Sequence, residues 1–117
     1  MHTAPAEEIA MDEDEISAVA MKVILNAGDA RNCLDEATVK LEAFDFPGVD
    51  KALEEADQKI LLAHNAQTGM IQRQAAGEKF EYSLLFVHAQ DTLMTIDAEL
   101  HLFKRLVPVF KALEAQK

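Results

Sequence analysis

Residues 82–95 read YSLLFVHAQDTLMT, and the apolar pattern that begins in this stretch decides the fold. Apolar residues recur at alternating spacings of three and four, which is typical of the buried seam of a helix bundle: Phe86, Ala89, Leu93, Ile96, Leu100, Phe103, Val107 and Phe110. A second stripe runs beside this seam: Leu84, Val87, Asp91, Thr95, Ala98, Leu102, Leu106, Val109 and Leu113. A helix with two apolar faces must bury both, so we expect one face to meet the chain's own helices and the other to meet a second copy.

Two further helices are predicted by the same periodicity. The first is expected from about Glu13 to Ala43, with its seam at Ile16, Ala20, Val23, Ala27, Ala30, Leu34, Ala37, Leu41 and Phe44. The second follows Asp45, a good N-cap residue, and runs to about Ala75 with its seam at Val49, Leu53, Ala56, Ile60, Ala63, Gln67 and Met70.

The connections between these helices are short. Gly77 is expected to end the second helix in the left-handed conformation, and the third helix is predicted from near Glu81 or Ser83 to near Glu114. Three long helices joined by short loops must alternate in direction. The predicted fold is therefore all-α, an antiparallel up-down-up three-helix bundle.

Composition limits the classes of function. The chain has 117 residues, a formal net charge of −10 and one cysteine, Cys33. The acidic excess argues against a nucleic-acid or anionic-membrane partner, and a single cysteine excludes an internal disulfide. We expect residues 1–13 to form a disordered acidic tail and residues 14–117 to form one helical domain. With no long apolar run and an acidic start, the protein is expected to be soluble and cytoplasmic.

His88 and Asp91 are the leading candidates for chemistry. Three residues apart on a helix, they share one face, and Asp91 interrupts the second apolar stripe. A carboxylate placed there is costly unless it is protonated, paired or bound to metal. Three interpretations stay open from spacing alone: a structural histidine, half of a metal site, or a nucleophilic histidine that carries a phosphoryl group.

Two other features of the helices stand out. Gly28 lies mid-helix, where glycine costs about 1 kcal/mol relative to alanine, which indicates close approach by a neighbouring helix or a ligand, or simple tolerance. Asp29 and Arg31 flank Gly28 and are interpreted as a solvated charge pair. Gln67 interrupts the second seam, with His64 and Thr68 beside it, and these polar groups are expected to make structural hydrogen bonds.

The run from His88 to Thr95 resembles the active-site signature of the lactose/cellobiose (N,N'-diacetylchitobiose) enzyme IIA family of the bacterial sugar phosphotransferase system. Further matches recur in that family's order: Ala27-Gly28-Asp29-Ala30-Arg31, Ala63-His64, Gln67-Thr68, Ala76-Gly77-Glu78 and Tyr82-Ser83. Together these matches cover nearly the whole chain after the tail. Thr92 departs from the pattern, because family members usually carry a second histidine there.

This resemblance implies a homotrimer of nine helices and a phosphotransferase with a phosphohistidine intermediate. His88 would accept the phosphoryl group from phospho-HPr and pass it to a cysteine of enzyme IIB, which works with the membrane enzyme IIC to take up a β-linked disaccharide. Gln90 would help to hold the histidine or the phosphoryl group. Asp91 from the three copies would meet around a metal ion, usually Mg²⁺, at the threefold axis.

Two alternative functions are carried forward. A histidine phosphotransfer domain of two-component signalling is also a small helical bundle, and its histidine would be His64, although Gln67 stands where a lysine is expected. A non-catalytic trimeric helical adaptor would use His88 and Asp91 only as polar residues of an interface.

Overall fold

Three long helices make up almost all of the computed structural model, which describes residues 10–117. α1 spans Glu13–Glu42, α2 spans Phe46–Ala75 and α3 spans Leu84–Ala115. Two short strands, β1 at Ala10–Met11 and β2 at Lys79–Phe80, pair in parallel. The predicted all-α bundle is confirmed, and the strand pair is an addition that the sequence pattern did not predict. Residues 1–9 of the predicted tail lie outside the described residues, and its last residue, Glu13, already begins α1.

The helices alternate in direction, as their short connections require. Ile16 near the start of α1 packs with Met70 near the end of α2, while Leu41 near the end of α1 packs with Val49 near the start of α2. The core therefore pairs α1 and α2 in antiparallel fashion. α3 runs parallel to α1, because Ala20 and Val23 share a cluster with Ala89 and Leu93, whereas Leu34 and Leu41 share one with Leu100 and Val107.

The predicted seams form most of the core. Four of their members are only partly buried against it, namely Ile60, Phe86, Phe103 and Phe110, and Ala52 is buried although the seam of α2 did not include it. On α1 the seam is buried along its whole length: Ile16, Ala20, Val23, Ala27, Ala30, Leu34, Ala37 and Leu41. Four of these are alanines that are completely buried, at 0% exposure. Because the distance between packed helices depends on the side chains at the contact, this alanine seam lets α2 and α3 approach α1 closely.

The helix ends follow the capping residues of the sequence. The side chains of Asp45 and Ser83 accept hydrogen bonds from the backbone N–H three residues on, at 3.0 and 3.1 Å. Gly77 has the expected positive φ of 105°. Phe44, which the pattern placed at the end of the first seam, lies instead in the loop with a φ of 54°, because α1 stops at Glu42.

The second stripe of α3 is not buried within the chain. Its large apolar members are all exposed: Leu84, Val87, Leu102, Leu106, Val109 and Leu113. The opposite face of α3, at Ala89, Leu93, Ile96, Leu100 and Val107, is buried against the other helices. The exposed stripe therefore leaves a long apolar surface without cover in a single chain, and its burial against further copies stays a prediction.

Arg73 connects three segments of the chain through its guanidinium group. Its Nε and Nη2 atoms each lie 2.6 Å from a carboxylate oxygen of Glu78, and its Nη1 atom lies 2.8 Å from Glu15 Oε2. The guanidinium therefore joins α2 to the first turn of α1 and to the loop before α3. The hydrogen bonds from Arg73 lower the pKa of Glu78, and those same bonds raise the pKa of Arg73.

Within residues 10–117, no helix combines the length and the apolar character needed to cross a lipid bilayer.

We expect Glu78→Gln to destabilise the protein at neutral pH but not at low pH. Because the folded-state pKa of Glu78 is lowered, its contribution is present above the unfolded pKa of about 4.3 and is lost as the pH falls through the folded value. The melting temperatures of wild type and variant, measured from pH 7 to pH 3, should converge at the acidic end. Glu81→Gln, an exposed carboxylate of the same loop, is the control and should show no such convergence. A difference that stays constant with pH would contradict the prediction.

Candidate functional site

His88 lies in the second turn of α3 on the wall of an open cleft between α1 and α3. Ser83 caps the helix and the seam at Ala89 and Leu93 anchors it, so the position of His88 is fixed by the core beside it. The cleft has a volume of about 450 Å³ and is lined by Ile24, Gly28, Arg31, His88, Asp91, Thr92, Thr95 and Ile96. The imidazole itself is exposed, so a partner can reach it.

Two threonines on this wall are committed to the backbone of α3. Thr92 Oγ1 donates to the His88 carbonyl oxygen at 2.8 Å, and Thr95 Oγ1 donates to the Asp91 carbonyl oxygen at 2.9 Å. A hydroxyl group used in this way has no second hydrogen to donate, and its bond to the carbonyl one turn back often bends a helix slightly instead of strengthening it. Thr92 therefore contacts the backbone of the turn that carries His88, and its hydroxyl hydrogen is already used there.

Asp91 shares the cleft with His88, as the spacing predicts, and its side chain is exposed. It lies on the α3 face that points away from the core, in the exposed apolar stripe. Among residues 10–117, no three His, Cys, Asp or Glu side chains cluster as a set of metal ligands. One chain thus supplies a single carboxylate at this point, and a metal would need ligands from elsewhere.

Gln90 is not brought next to His88 within one chain. Two residues apart on a helix with 3.6 residues per turn, the two side chains point about 160° apart around the axis. Gln90 is half-buried and lines a different cleft, of about 240 Å³, together with Met70, Gln74 and Phe86. Any direct action of Gln90 on an imidazole must therefore involve another molecule.

The polar group in α2 differs from its predicted role. Gln67 is buried at 8% exposure, but its Oε1 atom has no hydrogen-bond partner in the described chain. His64 is exposed and Thr68 is half-buried. The structural hydrogen bond expected for Gln67 is therefore absent at its amide oxygen within the described residues.

Two α1 residues of this cleft were not placed beside His88 by the sequence pattern. Arg31, read from sequence as a solvated charge, lines the His88 cleft, and its Nε atom lies 3.7 Å from Glu99 Oε2. Gly28 lines the same cleft, and a Cβ atom added there would meet nothing within 4 Å, so no part of the described chain requires glycine at this position. Only the parallel alignment of α1 and α3 reveals both placements.

The remaining histidines have no comparable setting. His101 is exposed, and its Nδ1 atom lies 2.7 Å from the Asp97 carbonyl oxygen. His2 lies outside the described residues.

Comparison with known proteins gives consistent matches over most of the chain. The family model described as the PTS system, Lactose/Cellobiose specific IIA subunit, matches residues 18–111. The chain is 36% identical to the lactose-specific EIIA component of the PTS system from Staphylococcus epidermidis, over 86% of this chain and 97% of that protein. It is 37% identical to the corresponding protein of Lactococcus lactis subsp. lactis, over 86% and 96% of the two chains.

Solved structures agree with these matches. The crystal structure of PtcA from S. mutans superposes with a TM-score of 0.84 at 32% identity, covering 86% of this chain and 99% of that one. The cellobiose-specific enzyme IIA from Bacillus anthracis superposes with a TM-score of 0.83 at 34% identity, covering 92% and 96% of the two chains.

We expect Gln67→Met to raise the free energy of unfolding by about 1 kcal/mol, because it removes a buried acceptor that has no partner and keeps a side chain of similar length. Urea denaturation of the two proteins measures the difference. Gln72→Met, the same chemical change at an exposed position of α2, is the control and should alter stability little. A clear loss of stability in Gln67→Met would mean that the amide is hydrogen-bonded in solution.

Proposed function

The chain belongs to the lactose/cellobiose-specific IIA family of the sugar phosphotransferase system, and on this premise we propose that it is a phosphoryl carrier that uses His88 as the acceptor. The observation that carries the proposal is the exposed imidazole of His88 beside Asp91, on a helix whose backbone is anchored in the core. An imidazole nitrogen is a nucleophile near neutral pH, and the bond that it forms with phosphorus is labile enough to pass the group onward.

The transfer balances without a co-reactant. One ring nitrogen of neutral His88 attacks the phosphorus atom of a phosphohistidine donor, phospho-HPr. The nitrogen–phosphorus bond of the donor breaks, and its electron pair returns to the donor ring. Each ring keeps the hydrogen on its other nitrogen, so no proton has to be gained or lost. A cysteine thiolate of enzyme IIB then attacks the same phosphorus atom and restores neutral His88. Most of the rate enhancement comes from docking of the partner proteins, which aligns the donor, His88 and the acceptor.

The exposed stripe of α3 supports a homotrimer of nine helices. An apolar surface of this length is costly in water, and packing three copies of α3 along it would bury it. Asp91, which points away from the core, would then lie where the three copies meet. A trimer would bury the one apolar face of α3 that stays exposed within residues 10–117 of a single chain.

In such a trimer, Gln90 can serve the histidine of a neighbour. When α3 turns Asp91 toward the common axis, His88 lies on one flank of the helix, and Gln90 lies toward the other flank, about 160° from His88. Each helix presents opposite flanks to its two neighbours, so Gln90 of one copy faces His88 of the next. The supporting role predicted for Gln90 is therefore assigned to a different copy of the chain.

The residues present fit a shared Mg²⁺ ion. Three Asp91 carboxylates brought together would repel one another, and a cation would neutralise them. Carboxylate oxygens are the ligands that Mg²⁺ prefers, and one chain supplies only one. The ion would stabilise the assembly, while acceptance of the phosphoryl group is left to His88.

The partners follow from the family. HPr donates the phosphoryl group, and enzyme IIB accepts it during uptake of a β-linked disaccharide of the lactose, cellobiose or chitobiose class through the membrane enzyme IIC. The transfer takes place in the cytoplasm. A net charge of −10 favours a donor that presents a basic surface.

We expect His88→Ala to abolish phosphoryl uptake while the fold and the oligomer remain, because an exposed side chain contributes little to the core. Intact-mass spectrometry after incubation with enzyme I, HPr and phosphoenolpyruvate measures the adduct, which should be single and acid-labile. His64→Ala is the matched control and should be labelled like wild type. Loss of labelling in His64→Ala alone would favour the signalling domain, and no labelling of wild type would favour the adaptor.

We expect Asp91→Leu to form a trimer that no longer needs metal, because the substitution replaces three repelling carboxylates with apolar side chains inside the proposed interface. Analytical ultracentrifugation with and without EDTA should show that the wild-type trimer is weakened by the chelator and the variant trimer is not. Monomers only, at every concentration, would contradict this assignment of Asp91.

A further inference from the structure

A second groove between α1 and α3 follows the His88 cleft toward the C-terminal end of α3. Its volume is about 210 Å³. Its lining is apolar apart from a few polar side chains, and it carries one carboxylate on each helix; the residues concerned are Leu34, Leu102, Phe103, Leu106, Asp35 and Glu99. The function proposed above does not use this groove.

The groove is continuous with the exposed stripe of α3. Leu102 and Leu106 belong to both, and both are exposed in the single chain. In the proposed trimer this stripe is covered by the α3 helices of the other copies, so a neighbouring copy must also lie against the groove. The segment that the groove meets is therefore the α3 helix of a second copy of the chain.

The two carboxylates of the groove are weakly neutralised within one chain. Glu99 Oε2 lies 3.7 Å from Arg31 Nε, which is too long for a hydrogen bond. Asp35 is exposed and forms no salt bridge within residues 10–117. An apolar groove with carboxylates on both walls fits a side chain that has a long aliphatic stem and a cationic head.

Arg105 is a side chain of this kind on the flank of α3 that faces a neighbour. With 3.6 residues per turn, Arg105 lies about 40° around α3 from Asp91, on the side of Gln90. Glu99 lies about 80° from Asp91 on the other side, which is the side of the groove. Arg105 is exposed and forms no salt bridge in the part of the chain that the structure describes. When Asp91 faces a threefold axis, the Arg105 flank of one copy therefore faces the groove of the next.

The heights of these groups along the helices also agree. The three α3 helices of such a trimer run parallel, so equal residue numbers lie at equal heights. Helical side chains point toward the N-terminus, which places the guanidinium of Arg105 about one turn back, near the height of Leu102. Leu102 and Asp35 both line the groove. The arginine thus reaches the neighbouring copy at the level of the carboxylates.

We propose that Arg105 of each copy enters the α1–α3 groove of the next copy and pairs there with Asp35. Its aliphatic stem packs along Leu102 and Leu106, and its guanidinium has enough N–H donors to serve Glu99 on the opposite wall as well. The inference rests on the homotrimer of the proposed function and specifies which surfaces of two copies meet.

These ion pairs give the trimer a second source of specificity, separate from the shared metal ion. Arg105 lies 14 residues beyond Asp91, which is about 21 Å along the helix. Charge pairs across an interface fix its register and suppress wrong alignments. Three pairs at this distance from the axis site would hold the α3 helices in the register that brings Gln90 to the His88 of the neighbouring copy.

Sedimentation velocity of the full chain, measured over a concentration series with excess Mg²⁺, tests the proposal. Arg105→Glu should raise the concentration at which half of the chain is monomeric by about tenfold or more, because it brings a third carboxylate to Asp35 and Glu99. Lys51→Glu, which makes the same change of charge at an exposed position of α2, is the control and should assemble like wild type.

A charge reversal on both sides identifies the partner of Arg105. Asp35→Arg alone should weaken the trimer, because it brings two arginines together, and Arg105→Glu combined with Asp35→Arg should recover most of the lost association. Glu36→Arg, at the exposed position next to Asp35, is the control for the second substitution. Circular dichroism should show the same helix content in all variants, since every substituted side chain is exposed.

The outcomes separate this inference from the function on which it rests. Arg105→Glu that assembles as well as Lys51→Glu, or a double variant that assembles no better than the weaker single variant, would overturn the ion pair alone. Wild type that stays monomeric at every concentration would overturn the ion pair together with the trimer. A trimeric wild type that takes up no phosphoryl group would overturn the carrier role and leave the ion pair standing.

Discussion

The structure depends on one constraint, which is that α3 is apolar on two opposite faces but has its own chain's helices on only one of them. The face at Ala89, Leu93 and Ile96 is buried against the other helices, and the stripe of Leu84, Leu102 and Leu113 is left in water. Asp91 sits in the middle of that uncovered stripe. The fold, the proposed oligomer and the placement of the candidate site all follow from what buries each of these two apolar faces.

Much of the fold could be predicted from the sequence because the signals are local. Apolar spacing along each helix identified the buried seams, and Asp45, Ser83 and Gly77 marked the helix ends, since capping depends on residues within one turn. Phe44 was misplaced because it continues the spacing of α1 beyond the residue where the backbone leaves the helix. Periodicity alone does not register that change of backbone conformation.

The site was predicted less completely because it depends on contacts between distant parts of the chain. His88 and Asp91 share a cleft as their spacing predicts, but its α1 wall could be found only from the alignment of two helices about 65 residues apart. Likewise, Arg73 donates a hydrogen bond to Glu15, which is 58 residues away in sequence, and no pattern in either segment predicts this ion pair. Gln67 was expected to find a partner because buried amides usually do, and the described chain provides none for its oxygen.

The alanine seam of α1 has a consequence for how proteins of this kind diverge. Ala20, Ala27, Ala30 and Ala37 are completely enclosed, so a larger side chain at any of them must push helices apart. Displacing α3 would also move the cleft that holds His88. Substitutions at outward-facing positions avoid this penalty, so they can change the surface of the protein without moving the helices beneath. The alanine seam thus constrains the position of the His88 cleft more tightly than it constrains the surface around the cleft.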